Sequence, residues 1–176
     1  GIYNVVIRIS KLLAIPLTAI NAIQAPRIAK LFSSNDVPGL RKYIRSSTQL
    51  TLGLTIPGAA IVMLFPEFFL GMFGSEFASA STILIIVASG YVINAMAGSV
   101  GLLLQMTGHE RSFLSITLAT LGVSIALNFI LIPTMGIKGA AITTVVSRVL
   151  FNVVAVVYAA VKVKVITIFL PWKVQG

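Results

Sequence analysis

The sequence of 176 residues contains no cysteine, and it has only four acidic side chains and one histidine. The absence of cysteine excludes a disulfide framework, a thiolate zinc site and a cysteine nucleophile within this chain. Charged residues make up 10% of the chain, whereas a soluble domain carries about a quarter, because its surface has to face water. The composition therefore excludes an ordinary water-soluble globular fold.

The chain is instead rich in apolar residues, which make up 57% of it and give a mean hydropathy of +1.03. Its thirteen basic side chains leave a net charge of +9, a surplus that would suggest a nucleic-acid partner in a hydrophilic protein. Here the basic residues separate long uncharged runs and form no solvated patch. We therefore expect no nucleic acid as a partner.

Three runs have no charged side chain, namely residues 46–66, 77–109 and 112–137. A bilayer core of about 30 Å needs roughly 20 helical residues, so each run is long enough for one spanning helix. Two further apolar segments, at the two ends of the chain, carry internal cations. We predict an all-α polytopic transmembrane helix bundle over residues 1–161, with five spanning helices at 2–25, 48–66, 79–106, 113–132 and 137–161.

Proline, glycine and small polar residues mark the expected helix ends. Pro26 should end the first helix, and the turn at 33–39 should precede a short basic amphipathic piece. Residues 133–136 should separate the last two helices. Pro16 and Pro57 lie inside predicted spans and should bend them, because proline lacks the backbone N–H donor.

The distribution of cations predicts the orientation. Five lie in the loop 27–45, one in the turn 107–112 and three in the tail 162–176, whereas the opposite side has only Lys138. Cytoplasmic loops carry the excess of Lys and Arg. We therefore expect the loop 27–45 and the basic tail 162–176 to be cytoplasmic, with Trp172 at the interface and the tail lysines near membrane lipid.

The chain opens at Gly1-Ile2-Tyr3, without an initiator methionine and already within an apolar helical pattern. Five spans with one terminus outside also form an unusual unit. We expect this chain to be the C-terminal part of a longer membrane protein.

Enzyme and metal-site patterns are absent from the sequence. His109 stands beside Glu110 in a polar turn with no second histidine, so we expect no metal site. All four carboxylates fall in predicted loops, whereas ion-coupled pumps usually place an acid within the membrane. No phosphate-binding loop, nucleotide motif or serine triad is present. We therefore expect no catalytic residue, no cofactor and no enzymatic activity.

Polar and small residues recur at helical spacing on one face of four of the predicted helices. They are Asn4, Arg8, Lys11 and Thr18; Asn94, Gly98, Gly101 and Gln105; Thr117, Thr120, Ser124 and Asn128; and Thr144, Arg148 and Asn152. Most are small, and small residues commonly mediate helix packing in membranes. The cations Arg8, Lys11 and Arg148 are different, since a charge near the bilayer centre costs at least about 2.5 kcal/mol. The candidate cavity-lining, substrate-binding residues are Arg8, Lys11, Arg148, Asn152, Asn94 and Asn128.

These three cations leave alternatives open. Arg148 faces either a cavity that takes an anion or an acid in the part of the protein that this chain lacks. Arg8 and Lys11 stand closer to a predicted helix end, where long basic side chains can reach the membrane interface.

Several motifs follow one another in order along nearly the whole chain. They are Gly1-Ile2-Tyr3, Arg8-Ile9, Ala25-Pro26-Arg27-Ile28-Ala29, Leu70-Gly71-Met72-Phe73-Gly74-Ser75-Glu76-Phe77, Met106-Thr107-Gly108-His109-Glu110-Arg111, Leu127-Asn128-Phe129-Ile130-Leu131-Ile132-Pro133 and Gly136-Ile137-Lys138-Gly139-Ala140-Ala141. The motifs are loose and apolar, but their joint order is specific. In this order they resemble the C-terminal half of polysaccharide and O-antigen flippases of the multidrug/oligosaccharidyl-lipid/polysaccharide exporter superfamily.

The resemblance implies a transporter of two six-helix lobes around a central cavity, of which this chain would supply helices eight to twelve while the N-terminal lobe is missing. It also implies transport of undecaprenyl diphosphate-linked oligosaccharide from the cytoplasmic to the outer leaflet of the cell inner membrane by alternating access. The cavity would be cationic, and a guanidinium suits phosphate oxygens because it offers them a fork of N–H donors.

Two other functions stay open on the sequence alone. A multidrug or cation exporter of the same superfamily would share the fold, although arginines without an intramembrane acid suit anions better than cations. A non-transporting structural membrane subunit would have no need of a buried charge.

Overall fold

The computed structural model describes residues 2–168, apart from the side chain of residue 75. Eight α-helices follow one another in this part of the chain, with 3-10 segments at Leu12–Ala14 and Ser75–Ala80 and a π-helical turn at Ala159–Val163. The helices are α1 (Ile2–Lys11), α2 (Ile15–Ser33), α3 (Val37–Leu64), α4 (Pro66–Gly71), α5 (Ser81–Ala97), α6 (Val100–Met106), α7 (Glu110–Met135) and α8 (Ile137–Tyr158).

Five helical segments within residues 2–168 are long and apolar enough to cross a membrane. They are Ile2–Ser33, Val37–Leu64, Glu76–Ala97, Glu110–Met135 and Ile137–Lys162. The predicted all-α bundle with five spans is therefore confirmed, and the chain is a multi-pass membrane protein. The ends of the helices differ from the predicted ones.

The first span continues to Ser33, so the prediction that Pro26 ends it is wrong. It ends where the Ser33 and Ser34 hydroxyls donate to backbone carbonyls of the last turn, at 2.9 to 3.2 Å. Its interruption is a 3-10 turn, Leu12–Ala14, just before Pro16. Pro16 cannot donate to the Leu12 carbonyl, which instead accepts the Ile15 N–H. The helix is therefore interrupted by a tightened turn before Pro16, and the bends expected at Pro16 and Pro57 stay predictions.

The second span, predicted at 48–66, begins at Val37 and takes in the basic amphipathic piece. Asp36 caps this helix, because its carboxylate accepts the Gly39 N–H at 2.8 Å. Pro38 in the first turn costs no hydrogen bond there. The helix α3 then runs on through Pro57 to Leu64.

The third span, predicted as one helix over 79–106, is broken between α5 and α6 at Gly98 and Ser99. The fourth, predicted at 113–132, extends from Glu110 to Met135 and passes through Pro133. The fifth, predicted at 137–161, is α8 followed by the π-helical turn Ala159–Val163.

Two clusters of buried apolar side chains hold the bundle together. One lies towards α4 and includes Val6, Leu70 and Leu84. The other lies at what we name the basic end, formed by residues 27–45, 103–112 and 159–168, and includes Ile28, Leu40 and Leu104. The helix α8 packs against both α5 and α7.

The start of the predicted tail 162–176 packs back onto the bundle. Arg41 Nε donates to the Lys164 carbonyl at 2.7 Å, and Thr48 Oγ1 donates to the Thr167 carbonyl at 3.1 Å. Val165 and Thr167 are 0% and 1% exposed. We name residues 164–168 the return segment. The predicted interfacial Trp172 and the rest of the tail lie outside the described residues.

Candidate functional site: a polar seam and an amide pocket

Three residues on α8 project to one side because they are spaced four apart, one per helical turn. Thr144 meets the Tyr3 hydroxyl of α1, with 2.9 Å between the oxygens. The Arg148 guanidinium lies 4.0 Å from the ring centroid of Tyr91 of α5. Asn152 Nδ2 donates to Asn94 Oδ1 of α5 at 3.2 Å. We name these six residues the polar seam; they are Tyr3, Tyr91, Asn94, Thr144, Arg148 and Asn152.

Arg148 is held by an aromatic face and not by an acid of this chain. The Tyr91 ring is 8% exposed, and its π-electrons attract a cation by about 0.5–2 kcal/mol. The carboxylates of the chain all stand at the edges of the spans, at Asp36, Glu67, Glu76 and Glu110. A guanidinium whose central carbon lies over an aromatic ring still has N–H donors along its edges. Arg148 is therefore able to bind an anion within the bundle.

A cavity of about 260 Å³ adjoins the seam at Asn94 and Asn152. Side chains and backbone from α2, α5, α6 and α8 form its walls, and none of the lining side chains is charged. We name it the amide pocket, after four of its polar lining residues. Its polar lining residues are Asn21, Asn94, Ser99, Gln105 and Asn152, and Phe151 adds an aromatic wall.

The break between α5 and α6 forms one wall of the amide pocket. Gly98 has φ +66° and ψ −152°, a backbone conformation that is almost confined to glycine. Non-helical backbone in a membrane protein is tolerated where it is buried in protein or lines a cavity, and Gly98, directly after the third span, is buried and lines the pocket. Membrane transporters often build their binding sites from such discontinuous helices.

Two side chains of α2 have buried amide atoms that make no hydrogen bond within residues 2–168. They are Asn21, through Oδ1, and Gln24, through both amide atoms. Gln24 is 2% exposed and follows Asn21 by three residues, on the same side of the helix. A buried polar group without a partner costs about 1–3 kcal/mol. Of the two, only Asn21 lines the amide pocket, so its Oδ1 is the acceptor that a polar ligand there would satisfy.

A larger, open depression of about 540 Å³ lies elsewhere, at the corner between α3 and α4. Its lining is the short run 63–68, which contains the carboxylate Glu67 and none of the predicted site residues. The polar seam and the amide pocket therefore form the better candidate site.

The structure brings three of the six predicted site residues together: Arg148, Asn152 and Asn94 all belong to the polar seam. Arg8 and Lys11 are exposed on α1, and neither lines the amide pocket. Asn128 is partly exposed on α7 and does not line it either. A role in substrate binding stays a prediction for all six.

Sequence reasoning missed several residues of the site. Tyr91 precedes Asn94 by three positions, and Asn21 follows Thr18 by three, so both extend polar patterns that the spacing already showed. The break at Gly98 had a weaker signal, because glycines in membrane helices usually serve close packing.

Comparison with known proteins adds the family. The model of the MatE family matches residues 1–130. A probable low-salt glycan biosynthesis flippase, Agl15, of Haloferax volcanii is 28% identical over 148 residues, which cover 84% of this chain and 31% of the relative. A probable flippase, AglR, of the same organism is 29% identical over 160 residues, covering 89% and 33%.

The chain spans about a third of the length of these curated relatives. No solved structure matches it significantly. The family match takes in α1 to α6 and most of α7, including the break at Gly98 and the α5 side of the seam. The chain therefore belongs to the MatE family, which confirms the superfamily that its motifs indicated.

Proposed function

We propose that this chain is part of a membrane flippase that moves a lipid-linked oligosaccharide between the two leaflets by alternating access. The observation that carries the proposal is the Arg148 guanidinium on the Tyr91 ring, inside a polar seam, while the four acidic side chains stand at the edges of the spans or outside them. Such a cation suits the diphosphate that joins a glycan to its lipid carrier.

The energetics favour an anionic ligand for Arg148. A cation near the middle of a membrane is costly unless a partner or a cavity receives it. Tyr91 offers about 0.5–2 kcal/mol, while charge-assisted hydrogen bonds to phosphate oxygens are the stronger kind and can be bidentate with arginine. The seam thus holds the guanidinium in place, and the ligand would supply the larger part of the stabilisation.

The relatives support the same class of substrate, since both are named as probable flippases and one is named for glycan biosynthesis. We propose further that the carrier is undecaprenyl diphosphate, that the membrane is the cell inner membrane, and that the glycan crosses from the cytoplasmic side. These finer points rest on the motif resemblance and the distribution of cations.

A multidrug or cation exporter is the second candidate on family grounds. The described seam argues against it, because Arg148 would repel a cation, and the only acidic residues of the spans, Glu76 and Glu110, stand at their first positions. In a structural subunit without transport, no function would offset the free-energy cost of placing Arg148 in the membrane.

The test uses the full-length protein that contains this chain, reconstituted into liposomes with a fluorescent lipid-linked oligosaccharide. Arg148→Ala should lower the flipping rate about ten- to hundredfold, because charge-assisted hydrogen bonds to the ligand are lost. Arg148→Lys should restore part of the rate, since it keeps the charge but loses the fork of donors. Arg111→Ala is the matched control, because Arg111 is exposed at the start of α7.

Membrane abundance is measured beside the flipping rate. If Arg148 instead pairs with an acid outside this chain, its removal strands a buried charge at a cost of about 3–5 kcal/mol, and abundance should fall. Undiminished flipping by an abundant Arg148→Ala protein would contradict the proposed role.

A further inference from the structure

We infer that the amide pocket binds one uncharged sugar residue, the one next to the diphosphate of the transported molecule. The inference deepens the proposed function and rests on it for the transport step. The binding step stands on the chemistry of the pocket and can be measured separately with free sugars.

The lining of the pocket selects a neutral ligand rich in hydroxyl groups. Four of its lining side chains are carboxamides and a fifth is the hydroxyl of Ser99, with no charge among them. A carboxamide has both donors and an acceptor, and so does each sugar hydroxyl. A charged ligand group would be desolvated there without an opposite charge to receive it.

The amides have hydrogen-bonding capacity left for such a ligand. The single bond between Asn152 and Asn94 uses one N–H of the first and one lone pair of the second. Asn21 Oδ1 is buried at the pocket and makes no hydrogen bond within residues 2–168. A ligand hydroxyl that donates to Asn21 would remove the cost of that unpaired acceptor.

The size and the aromatic wall fit a single sugar ring. The volume of about 260 Å³ is just below the range of about 300–1,000 Å³ that is typical for drug-sized ligands. The Phe151 ring packs edge-on against Phe113, with 5.8 Å between centroids and an interplanar angle of 87°. Phe151 is therefore held in place, and it offers an apolar surface to the C–H groups of a sugar face.

The position of the pocket links the sugar to the anion. Asn152 lies one helical turn beyond Arg148 on α8, a rise of about 6 Å along the axis. A diphosphate at Arg148 would thus place its attached sugar at Asn152 and Asn94. The seam and the pocket together would bind the phosphate and the first sugar side by side.

The binding experiment uses the full-length protein in detergent, with methyl glucoside, methyl mannoside and N-acetylglucosamine as probes and saturation-transfer NMR as the measurement. At least one sugar should show saturable binding to the wild type. Asn152→Leu and Asn21→Leu should each weaken it about tenfold or more, through lost hydrogen bonds. Gln49→Leu is the control, because Gln49 is an exposed amide of α3 outside the pocket.

Arg148→Ala should keep the binding of free sugar, because no anion is involved. Size-exclusion profiles show whether each variant is folded. If the Asn152→Leu protein does not fold, Asn21→Leu still provides the test. Absence of saturable binding by every sugar, or equal binding by the folded pocket variants and the wild type, would overturn the inference.

A transport assay separates this inference from the proposed function. Wild-type protein is given a polyprenyl diphosphate with its glycan and the same lipid without a glycan. Asn21→Leu, in the pocket but outside the polar seam, should slow transport of the glycosylated lipid and leave binding of the glycan-free lipid unchanged, whereas Arg148→Ala should weaken both. Failure of the wild type to flip the glycosylated lipid would overturn the proposed function, and the free-sugar measurement would still decide on the pocket.

Discussion

At the scale of single residues, Gly98 is the position where the backbone conformation tolerates the fewest residue types. Its φ of +66° with ψ −152° is strained for any residue with a Cβ. A Cβ there would also meet the Thr48 hydroxyl and the Thr167 carbonyl. Gly98 therefore lies where the break between α5 and α6, the amide pocket and the return segment meet.

Gly98→Ala should lower the free energy of unfolding by roughly 1–3 kcal/mol from backbone strain, with the contacts adding to it. Gly53→Ala is the matched control, because Gly53 lies within α3 and a Cβ there would meet nothing within 4 Å. That control should be neutral, or stabilising by up to about 1 kcal/mol. The measurement is the thermal unfolding midpoint of the full-length protein in detergent. Equal midpoints for both variants would contradict the strain at Gly98.

Helical spacing located part of the candidate site at this scale. It placed Arg148 and Asn152 on one face of a helix, and Asn94 on the polar face of another, before their contacts were known. It could not identify Tyr91 as the partner of Arg148, because a tyrosine in a membrane helix is equally suited to packing or to the interface. Which polar faces meet depends on the packing of α5 against α8, and no single sequence contains that information.

At the scale of the elements, the long uncharged runs were enough to predict five spans, but the helix ends were decided by caps. The Asp36 side chain starts α3 well before the apolar run begins. Pro26 does not end α2, because neighbouring helices and nearby polar groups offset a missing backbone hydrogen bond in a membrane helix. Apolar length therefore predicts a span better than it predicts where the helix begins and ends.

The return segment is the element that the charge pattern did not predict, since the lysines of the tail 162–176 suggested a segment lying at the membrane interface near lipid. Val165 fixes it to the bundle, being fully buried among side chains that include Leu40 and Ile44. The Arg41 and Thr48 side chains donate hydrogen bonds to the backbone carbonyls of Lys164 and Thr167, on either side of that contact. It therefore belongs to the folded bundle and supports the break at Gly98 from the side of α3.

Val165→Asp should lower the free energy of unfolding by roughly 3 kcal/mol, because it buries a carboxylate without a partner. Ile166→Asp is the neighbouring control, since Ile166 is 51% exposed and a carboxylate there can stay in contact with water or headgroups. The thermal midpoint in detergent measures both. A free tail predicts instead that the two variants melt alike, which would contradict the packing of the return segment.

At the scale of the whole molecule, the charges and the helix lengths determine which parts lie on the same side of the membrane. The helix α3 has 28 residues, so it rises about 42 Å, more than the hydrocarbon core of about 30 Å. The turn before α3 and the short segments after it therefore lie on opposite sides. Most of the described cations cluster with the turn, at the basic end.

We predict that the basic end faces the cytoplasm, because the five cations of residues 27–45, in the last turns of α2 and the first turns of α3, resist translocation. The chain has no cysteine of its own, so single cysteines can report on it in a full-length protein freed of other cysteines. Ser34→Cys and Ser79→Cys suit this purpose, since both serines are exposed and lie on either side of α3. An impermeant maleimide added to intact cells should label position 79 at once and position 34 only after permeabilisation. Labelling of position 34 alone in intact cells would show that the orientation is the opposite one. The ligand would then first reach Arg148 from the other side of the membrane.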